Sequence, residues 1–267
     1  MQRNLFLKTC FFLGVAFLYI PILVLITFSF NASDKVNVWA GFSLRWYRSL
    51  LDDPQILEAA QNSFVIAIVS ATLATVLAMI ASVVIVRFGP FRGRTLFTGM
   101  MSAPLIMPEV ITGISLLLLF VAMQQLIGWP ANRGFTTVVL AHATFCTAFA
   151  AVVLQARLRS LDSSLEEAAA DLGSTPLRAF FKVTLPMMGP AMTSAWLLSF
   201  TLSLDDLVIA SFTTGPNSTT LPMLIFSKVR LGVSPDVNAL ATLIIVGIGF
   251  AVTLSVAAAR GPRENQE

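Results

Sequence analysis

Two adjacent carboxylates, Asp205 and Asp206, lie in the apolar stretch SFTLSLDDLVIASF, which covers residues 199–212. A third acid, Glu109, follows two prolines in the stretch APLIMPEVITG. An ionised carboxylate is costly inside a membrane, so such acids usually face a wet cavity or a partner charge. Asp205, Asp206 and Glu109 are therefore candidates to line the path of a small cationic solute.

The alternative is that these acids only pack helices together or lie at the outer boundary of the membrane. Neighbouring residues of a helix point about 100° apart, so Asp205 and Asp206 cannot both face one direction. Asp206 continues a stripe with Ser199 and Ser203, whereas Asp205 aligns with Thr201. We expect one carboxylate to line the path and the other to bond across to a neighbouring helix or to a partner subunit. The sequence leaves the assignment of these two roles open.

The chain that must position these acids has the composition of a membrane protein. Of its 267 residues, 56% are hydrophobic and 12% are charged, whereas about a quarter of a soluble domain is charged. Six apolar blocks have roughly the 20 residues that a helix needs to cross a bilayer, at residues 9–30, 63–88, 96–123, 135–154, 192–212 and 237–259. These blocks predict an all-α polytopic protein with about six transmembrane helices, in which residues 1–267 form a single transmembrane domain.

Lysine and arginine in the connections predict the orientation of the chain. With a cytoplasmic N-terminus, the inner side carries eleven of these residues, Arg3, Arg260 and Arg263 among them, and the outer side carries six. We therefore expect both termini in the cytoplasm. The longest outer connection, residues 31–62, predicts short interfacial helices, whose aromatic residues suit either headgroup anchoring or docking of an outside partner.

The histidine and the cysteines of the apolar blocks are expected to have structural roles. His142 is the single histidine, and Cys10 and Cys146 lie in different blocks. Cys146 is the one cysteine near His142 and there is no second histidine, which is too few ligands for a metal site, so we expect a hydrogen bond between helices there and no metal. The two cysteines are expected to be packing residues.

The inner stretch 160–186, SLDSSLEEAAADLGSTPLRAFFKVTLP, predicts a helical hairpin. Asp162 or Ser163 can cap a first helix, and Gly173 is placed to end it. Thr175 and Pro176 supply the cap and first-turn proline of a second short helix. Apolar residues recur at helical spacing on both, so the pair needs a surface to pack on: the lipid, its own bundle or another protein.

The order of residues in this hairpin resembles the EAA loop of binding-protein-dependent ABC importer permeases. The matching positions are Glu167, Ala168, Ala169, Gly173, Leu185 and Pro186, with Val183 where isoleucine is commoner. In that family the loop is a coupling helix that docks on a separate cytoplasmic ATPase. This chain has no GxxxxGK[ST] phosphate loop, so the ATP motor must be another polypeptide.

Four further stretches, VWAGFSLRWY, PLIMPEVITGISLLLLFVA, IGWPANRG and SLDDLVIASF, are similar to the putrescine-type polyamine permeases. The resemblance implies a type I ABC importer permease in the bacterial inner membrane that moves putrescine or a related polyamine by alternating access. It also implies a heterodimer with a second homologous permease, two ATPase copies and a periplasmic solute-binding protein. ATP and Mg would be used by the ATPase, with no cofactor bound and no reaction catalysed by this chain.

Other functions remain to be weighed against this one. Within the importer class, the solute could instead be spermidine, a cationic amino acid or thiamine. An ion-coupled secondary transporter or a cation channel suits buried acids and broken helices, but it gives no reason for the ordered hairpin. An intramembrane aspartyl protease needs aspartates from two different helices, and the chain has no GxGD sequence.

Overall fold

The computed structural model describes residues 2–35, 38–231 and 235–259, and the regular elements in these ranges are helices. In chain order they are α1 (Gln2–Ser29), α2 (Arg45–Leu51), α3 (Pro54–Arg87), α4 (Arg94–Ile106), α5 (Glu109–Ile127), α6 (Phe135–Ser160), α7 (Ser164–Asp171), α8 (Pro176–Ala179), α9 (Leu185–Leu204), α10 (Val208–Thr213), α11 (Leu221–Leu231) and α12 (Pro235–Ala259). A π-helical segment, Phe180–Thr184, joins α8 to α9. Arg260 and Arg263, which contributed to the predicted orientation, lie outside the described residues.

Long apolar helices confirm the predicted all-α membrane fold. Within the described ranges, four helices are long and apolar enough to cross a bilayer: α1 through its part Phe6–Ser29, and α3, α5 and α6 over their whole lengths. The predicted fifth block corresponds to α9 and α10, and the sixth to α12, of which Pro235–Gly247 is a shorter apolar helix.

The predicted third span is two helices and not one. α4 ends at Ile106, Met107 is extended, and α5 begins at Glu109. The residue before a proline avoids the helical region, and Pro108 has no N–H to continue the ladder, so the helix stops there. Glu109 is thus the first residue of α5, where a carboxylate suits the positive end of the helix dipole.

The chain forms two compact units, Glu58–Leu224 and a second that combines Met1–Leu57 with Ile225–Glu267. In the first, α6 packs along α9 through small buried residues such as Ala151 and Ala195, with Leu154 and Met188 beside them. In a membrane the hydrophobic effect does not drive helices together, so their association depends on the close packing that small side chains allow. The prediction of one transmembrane domain over residues 1–267 stays a prediction.

Gly113 allows an equally close contact between α5 and α10 in the first unit. A Cβ atom at this position would lie 2.6 Å from Cδ2 of Phe212 and 3.4 Å from the Cα atom of Ile209. A side chain at this position would therefore require the ring of Phe212 to move. This contact fixes the helix that follows the two adjacent aspartates.

In the second unit, the outer connection contains the predicted short helix as α2. Trp46, on α2, donates its indole N–H to the carbonyl of Asn31 over 2.9 Å. Trp39 and Phe42, which precede α2, are exposed. Headgroup anchoring and docking of an outside partner therefore both stay open for these aromatic residues.

Lys228 holds two carboxylates together in the second unit. Its Nζ atom lies 2.9 Å from Oδ2 of Asp236, at the start of α12, and 3.2 Å from Oδ2 of Asp53, just before α3. Partial burial lowers the pKa of Lys228, but the hydrogen bonds to Asp236 and Asp53 outweigh burial and raise the pKa above its ordinary value of 10.5. Because the pKa of Lys228 is higher in the folded than in the unfolded chain, the ion pairs stabilise the fold fully at a pH below the ordinary pKa. This stabilisation is lost as the pH rises through the pKa of the folded state.

Replacing Lys228 by methionine is expected to lower the free energy of unfolding by about 1–3 kcal/mol, because two partly buried carboxylates lose their shared charged donor. Thermal unfolding of the purified subunit at neutral pH would measure the change. Arg230→Met is the matched control, since Arg230 is an exposed cation of the same helix. Equal melting temperatures for Lys228→Met and the control would contradict the proposed role of the bridge.

Candidate functional site

A break between α9 and α10 contains both adjacent aspartates. α9 ends at Leu204, Asp205 caps its C-terminus, and α10 begins at Val208. The expectation of one continuous helix over residues 192–212 was wrong, since it treated both acids as mid-helix residues. Oδ1 of Asp206 accepts the backbone N–H of Ala210 over 2.8 Å, so Asp206 satisfies a free donor at the start of α10.

His142 of α6 faces the same carboxylate. Its Nε2 atom lies 3.3 Å from Oδ1 of Asp206, and its Nδ1 atom lies 2.7 Å from Oγ of Ser203. The side chains of His142 and Asp206 are 1% and 5% exposed. The Nδ1 contact is a hydrogen bond, whereas Nε2 lies near the carboxylate without hydrogen-bond geometry and has no hydrogen-bond partner among the described residues. The expected hydrogen bond between helices at His142 is confirmed.

A seam of small polar groups continues from His142 along the contact between α6 and α9. Cys146, one turn after His142, donates its thiol to the carbonyl of Ser199 over 3.4 Å. Both residues are buried, whereas Cys10 on α1 is exposed. The prediction that the cysteines pack is therefore confirmed for Cys146 and wrong for Cys10.

Asp205 points away from this buried seam. Its side chain is exposed, as is that of Thr201 one turn earlier on the same face of α9. Asp206 is buried like Ser203, and Asp205 is exposed like Thr201, although both aspartates lie beyond the last residue of α9. The structure therefore separates the two adjacent carboxylates into a buried one beside His142 of α6 and an exposed one.

Glu109 is the third candidate and is also exposed. It lies one turn before Gly113, the point at which α5 meets α10. The helix breaks inside the predicted third and fifth spans, at Met107–Pro108 and at residues 205–207, are therefore each next to a candidate acid. An interrupted helix leaves backbone N–H and C=O groups without their helical partners. At membrane depth such groups are tolerated only where protein surrounds them or where they line a water-filled cavity.

The hairpin over residues 160–186 begins as predicted. Oδ1 of Asp162 accepts the backbone N–H of Ser164 over 2.9 Å, and hydrogen bonds from the Ser164 backbone and side chain lower the pKa of Asp162. Gly173 ends α7 with a φ of 83°, and its N–H donates to the carbonyl of Ala170 over 2.8 Å. Glycine adopts this left-handed conformation without the strain that a side chain would add.

The second half of the hairpin differs from the expectation of a short separate helix. Thr175 caps α8 as predicted by accepting the N–H of Arg178 over 3.4 Å. The helix then continues through the π segment into α9, so Leu185 and Pro186 are the first residues of a span. Pro186 cannot donate to the fourth residue before it, and a locally wider helix turn accommodates this loss.

The exposed residues of the hairpin form a mixed surface. Among the predicted coupling residues, Glu167, Ala168 and Gly173 are exposed, whereas Ala169 is half-buried. Three large apolar side chains are exposed beside them, Leu172, Leu177 and Phe181. Glu166, which the sequence reasoning did not single out, is instead turned inward to Arg87 and Thr184.

Comparisons with known proteins agree with this architecture. Residues 74–263 match a family described as a binding-protein-dependent transport system inner membrane component. The chain belongs to this family. The permease is 61% identical over 238 residues to the putrescine transport system permease protein PotI of Escherichia coli (strain K12), a match that covers 89% of this chain and 85% of the relative.

A more distant relative and a solved structure extend the comparison. The permease is 42% identical over 231 residues to the spermidine/putrescine transport system permease protein PotC of the same organism, which covers 86% of this chain and 85% of the relative. A bacterial ABC transporter involved in the import of the acidic polysaccharide alginate has the same fold, with a TM-score of 0.75 at 17% identity over 97% of each chain. The predicted type I ABC importer permease fold and multi-pass inner-membrane location are thus confirmed.

Proposed function

We propose that the permease is one membrane subunit of an ATP-driven importer for putrescine or a related polyamine. The observation that carries the substrate class is its 61% identity to a putrescine permease over 89% of its length. The second candidate function is import of spermidine as well as putrescine, which is favoured by the 42% identity to a spermidine/putrescine permease.

The exposed carboxylate of Asp205 is the proposed anionic contact for an ammonium group of the solute. A charge-assisted hydrogen bond to a carboxylate is stronger than one to a neutral acceptor. Glu109, at the other helix break, is proposed as a second anion on the same path. Asp206 is proposed to act indirectly, because its bonds to α6 and α10 hold the segment that carries Asp205.

The remaining machinery is proposed to belong to other subunits. These are a second homologous permease that completes a heterodimer, two copies of a cytoplasmic ATPase that uses ATP and Mg, and a periplasmic solute-binding protein. This chain binds no cofactor and catalyses no reaction in the proposal, and both of its termini are cytoplasmic. Closure of the ATPase moves the hairpin, and the paired bundles alternate between outward and inward openings.

The hairpin over residues 160–186 is the proposed docking element for the ATPase. Exposed apolar side chains at Leu172, Leu177 and Phe181 have no membrane role on a cytoplasmic loop, and an interface would remove them from water. Glu167, Ala168 and Ala169 allow close approach on α7, and Gly173 sets the bend. Leu185 and Pro186 connect this surface to α9.

Replacing Gly173 by proline is expected to lower solute uptake at least about tenfold, because proline fixes φ near −65° and cannot adopt the left-handed bend. The substitution also removes the N–H that bonds Ala170. Uptake and ATP hydrolysis by the reconstituted importer would be measured together. Gly173→Asn is the control, since asparagine tolerates this conformation. Wild-type uptake by the proline variant would contradict a coupling role for the bend.

Uptake of labelled putrescine tests the proposed function directly. Cells would carry the complete system with or without this subunit, and unlabelled putrescine, spermidine, arginine and thiamine would compete. We expect uptake to require the subunit and putrescine to compete best. Uptake that proceeds equally well without the subunit would overturn the polyamine assignment, and stronger competition by spermidine would favour the second candidate.

A further inference from the structure

One carboxylate ties the cytoplasmic hairpin to the membrane helices. Oε1 of Glu166, in the first turn of α7, accepts the hydroxyl of Thr184 over 2.8 Å. The same oxygen lies 3.3 Å from Nε of Arg87, the last residue of α3. Thr184 is buried, and the side chains of Arg87 and Glu166 are 21% and 29% exposed. At this depth an ion pair is less screened than one on an open surface.

Arg87 extends the link to a third membrane helix. Its Nη2 atom donates to the carbonyl of Leu161, the residue that follows α6, over 3.4 Å. One guanidinium and one carboxylate thus join the cytoplasmic ends of α3 and α6, the start of the hairpin and the π segment that leads into α9.

α7 packs on α8 and on the π-helical segment. A groove of about 430 Å³ lies beside the contact and is lined by Arg87, Glu166 and Thr184 together with Val83, Phe88, Ala170 and Pro176. Among the described hydrogen bonds and ion pairs of α7 side chains, those of Glu166 are the ones that reach α3 and the end of the π segment. Force on α7 would therefore reach α3 through Glu166, and would reach α9 through Glu166, the packing on the π segment and the chain connections.

Thr184 is the last residue of the π-helical segment. A π turn contains an extra residue per turn and is a place where a helix can change its register. We propose that Glu166 is a positioning residue that transmits movement of the ATPase-bound hairpin to α3 and α9, with Arg87 and Thr184 as its two partners. This proposal rests on the proposed function, since it assigns the route between the docking surface and the solute path.

The test uses the complete importer, reconstituted in lipid with its ATPase and binding protein, and measures putrescine transported per ATP hydrolysed. Glu166→Ala is expected to lower this ratio at least about tenfold, the size of effect that loss of a hydrogen bond to a charged group produces. Glu166→Gln is expected to give a smaller loss, because its amide oxygen still accepts from Thr184 but no longer attracts Arg87. ATP hydrolysis itself continues in both variants.

Exchanging the charges of Arg87 and Glu166 tests whether their ion pair transmits movement or whether the two side chains only pack. Arg87→Glu and Glu166→Arg are each expected to lower the ratio, and the double variant is expected to recover part of it. Asp171→Asn is the matched control, since Asp171 is an exposed acid of the same short helix, and it should keep the wild-type ratio.

The outcomes are distinguishable from failure of the proposed function. A wild-type complex without ATP-dependent putrescine uptake would overturn that function before any variant is measured. With an active wild type, an unchanged ratio in Glu166→Ala, an equal loss in Asp171→Asn or no recovery in the double variant would overturn the role of Glu166. Failure of both Glu166→Ala and Glu166→Gln to assemble would assign the contact to folding and would also overturn it.

Discussion

Replacing Asp205 by asparagine is expected to lower putrescine uptake by about ten- to a hundredfold, the range that corresponds to the 1.5–3 kcal/mol of a hydrogen bond to a charged group. The amount of assembled importer should stay unchanged. Asp205 is exposed at the end of α9, and asparagine has nearly the same size, so packing is preserved while the anion is lost. Initial uptake rates in cells, divided by the amount of subunit in the membrane, would measure the effect.

Two comparisons decide whether the charge of Asp205 is responsible. Asp205→Glu keeps the anion and is expected to retain more uptake than Asp205→Asn. Glu58→Gln, which neutralises another exposed acid, should transport like the wild type. Normal uptake by Asp205→Asn would contradict a place on the solute path, and loss of assembly in this variant would support the alternative that the acid only packs helices.

Hydropathy was sufficient to predict the long spans but not the breaks within them. A block of about 20 apolar residues has one stable solution in lipid, which is a helix with its backbone bonds satisfied internally. Proline marks a possible interruption, yet Pro104 lies inside α4 while the helix stops before Pro108. Whether a proline is accommodated depends on which neighbouring groups satisfy the freed carbonyls, and these neighbours come from distant parts of the chain.

The candidate site could likewise be predicted only in part. Helical spacing predicted that Asp205 and Asp206 point in different directions, and they do, but both lie in the break between α9 and α10, which the spacing did not predict. The surroundings of Asp206 depended on His142, which is 64 residues earlier and stood out in the sequence only as the single histidine. Likewise, Glu166 and Glu167 are equivalent as first-turn acids, and only the contacts with Arg87 and Thr184 distinguish them.

Removing the imidazole of His142 is expected to destabilise the permease by about 1–3 kcal/mol, because the buried hydroxyl of Ser203 loses its hydrogen-bond partner and the buried carboxylate of Asp206 loses a polar neighbour. In His142→Leu, the carboxylate of Asp206 keeps its bond to Ala210 but loses the only side chain that a described contact places against it. We expect less assembled importer in the membrane and a lower melting temperature of the purified subunit, and a loss of uptake that follows from both.

A double-mutant cycle tests whether the loss comes from the pair. Asp206→Asn can still accept the N–H of Ala210, so it removes the charge while it keeps the start of α10. If His142 and Asp206 interact, the double variant loses less stability than the two single variants together, because contacting residues are not additive. Thr147→Ala is the control on α6, since the Thr147 hydroxyl bonds only to the carbonyl of Ala143 in its own helix among the described contacts. Additive losses in the cycle would mean that each residue acts alone, and Asp205 would then be positioned by the contact of α10 with α5 at Gly113.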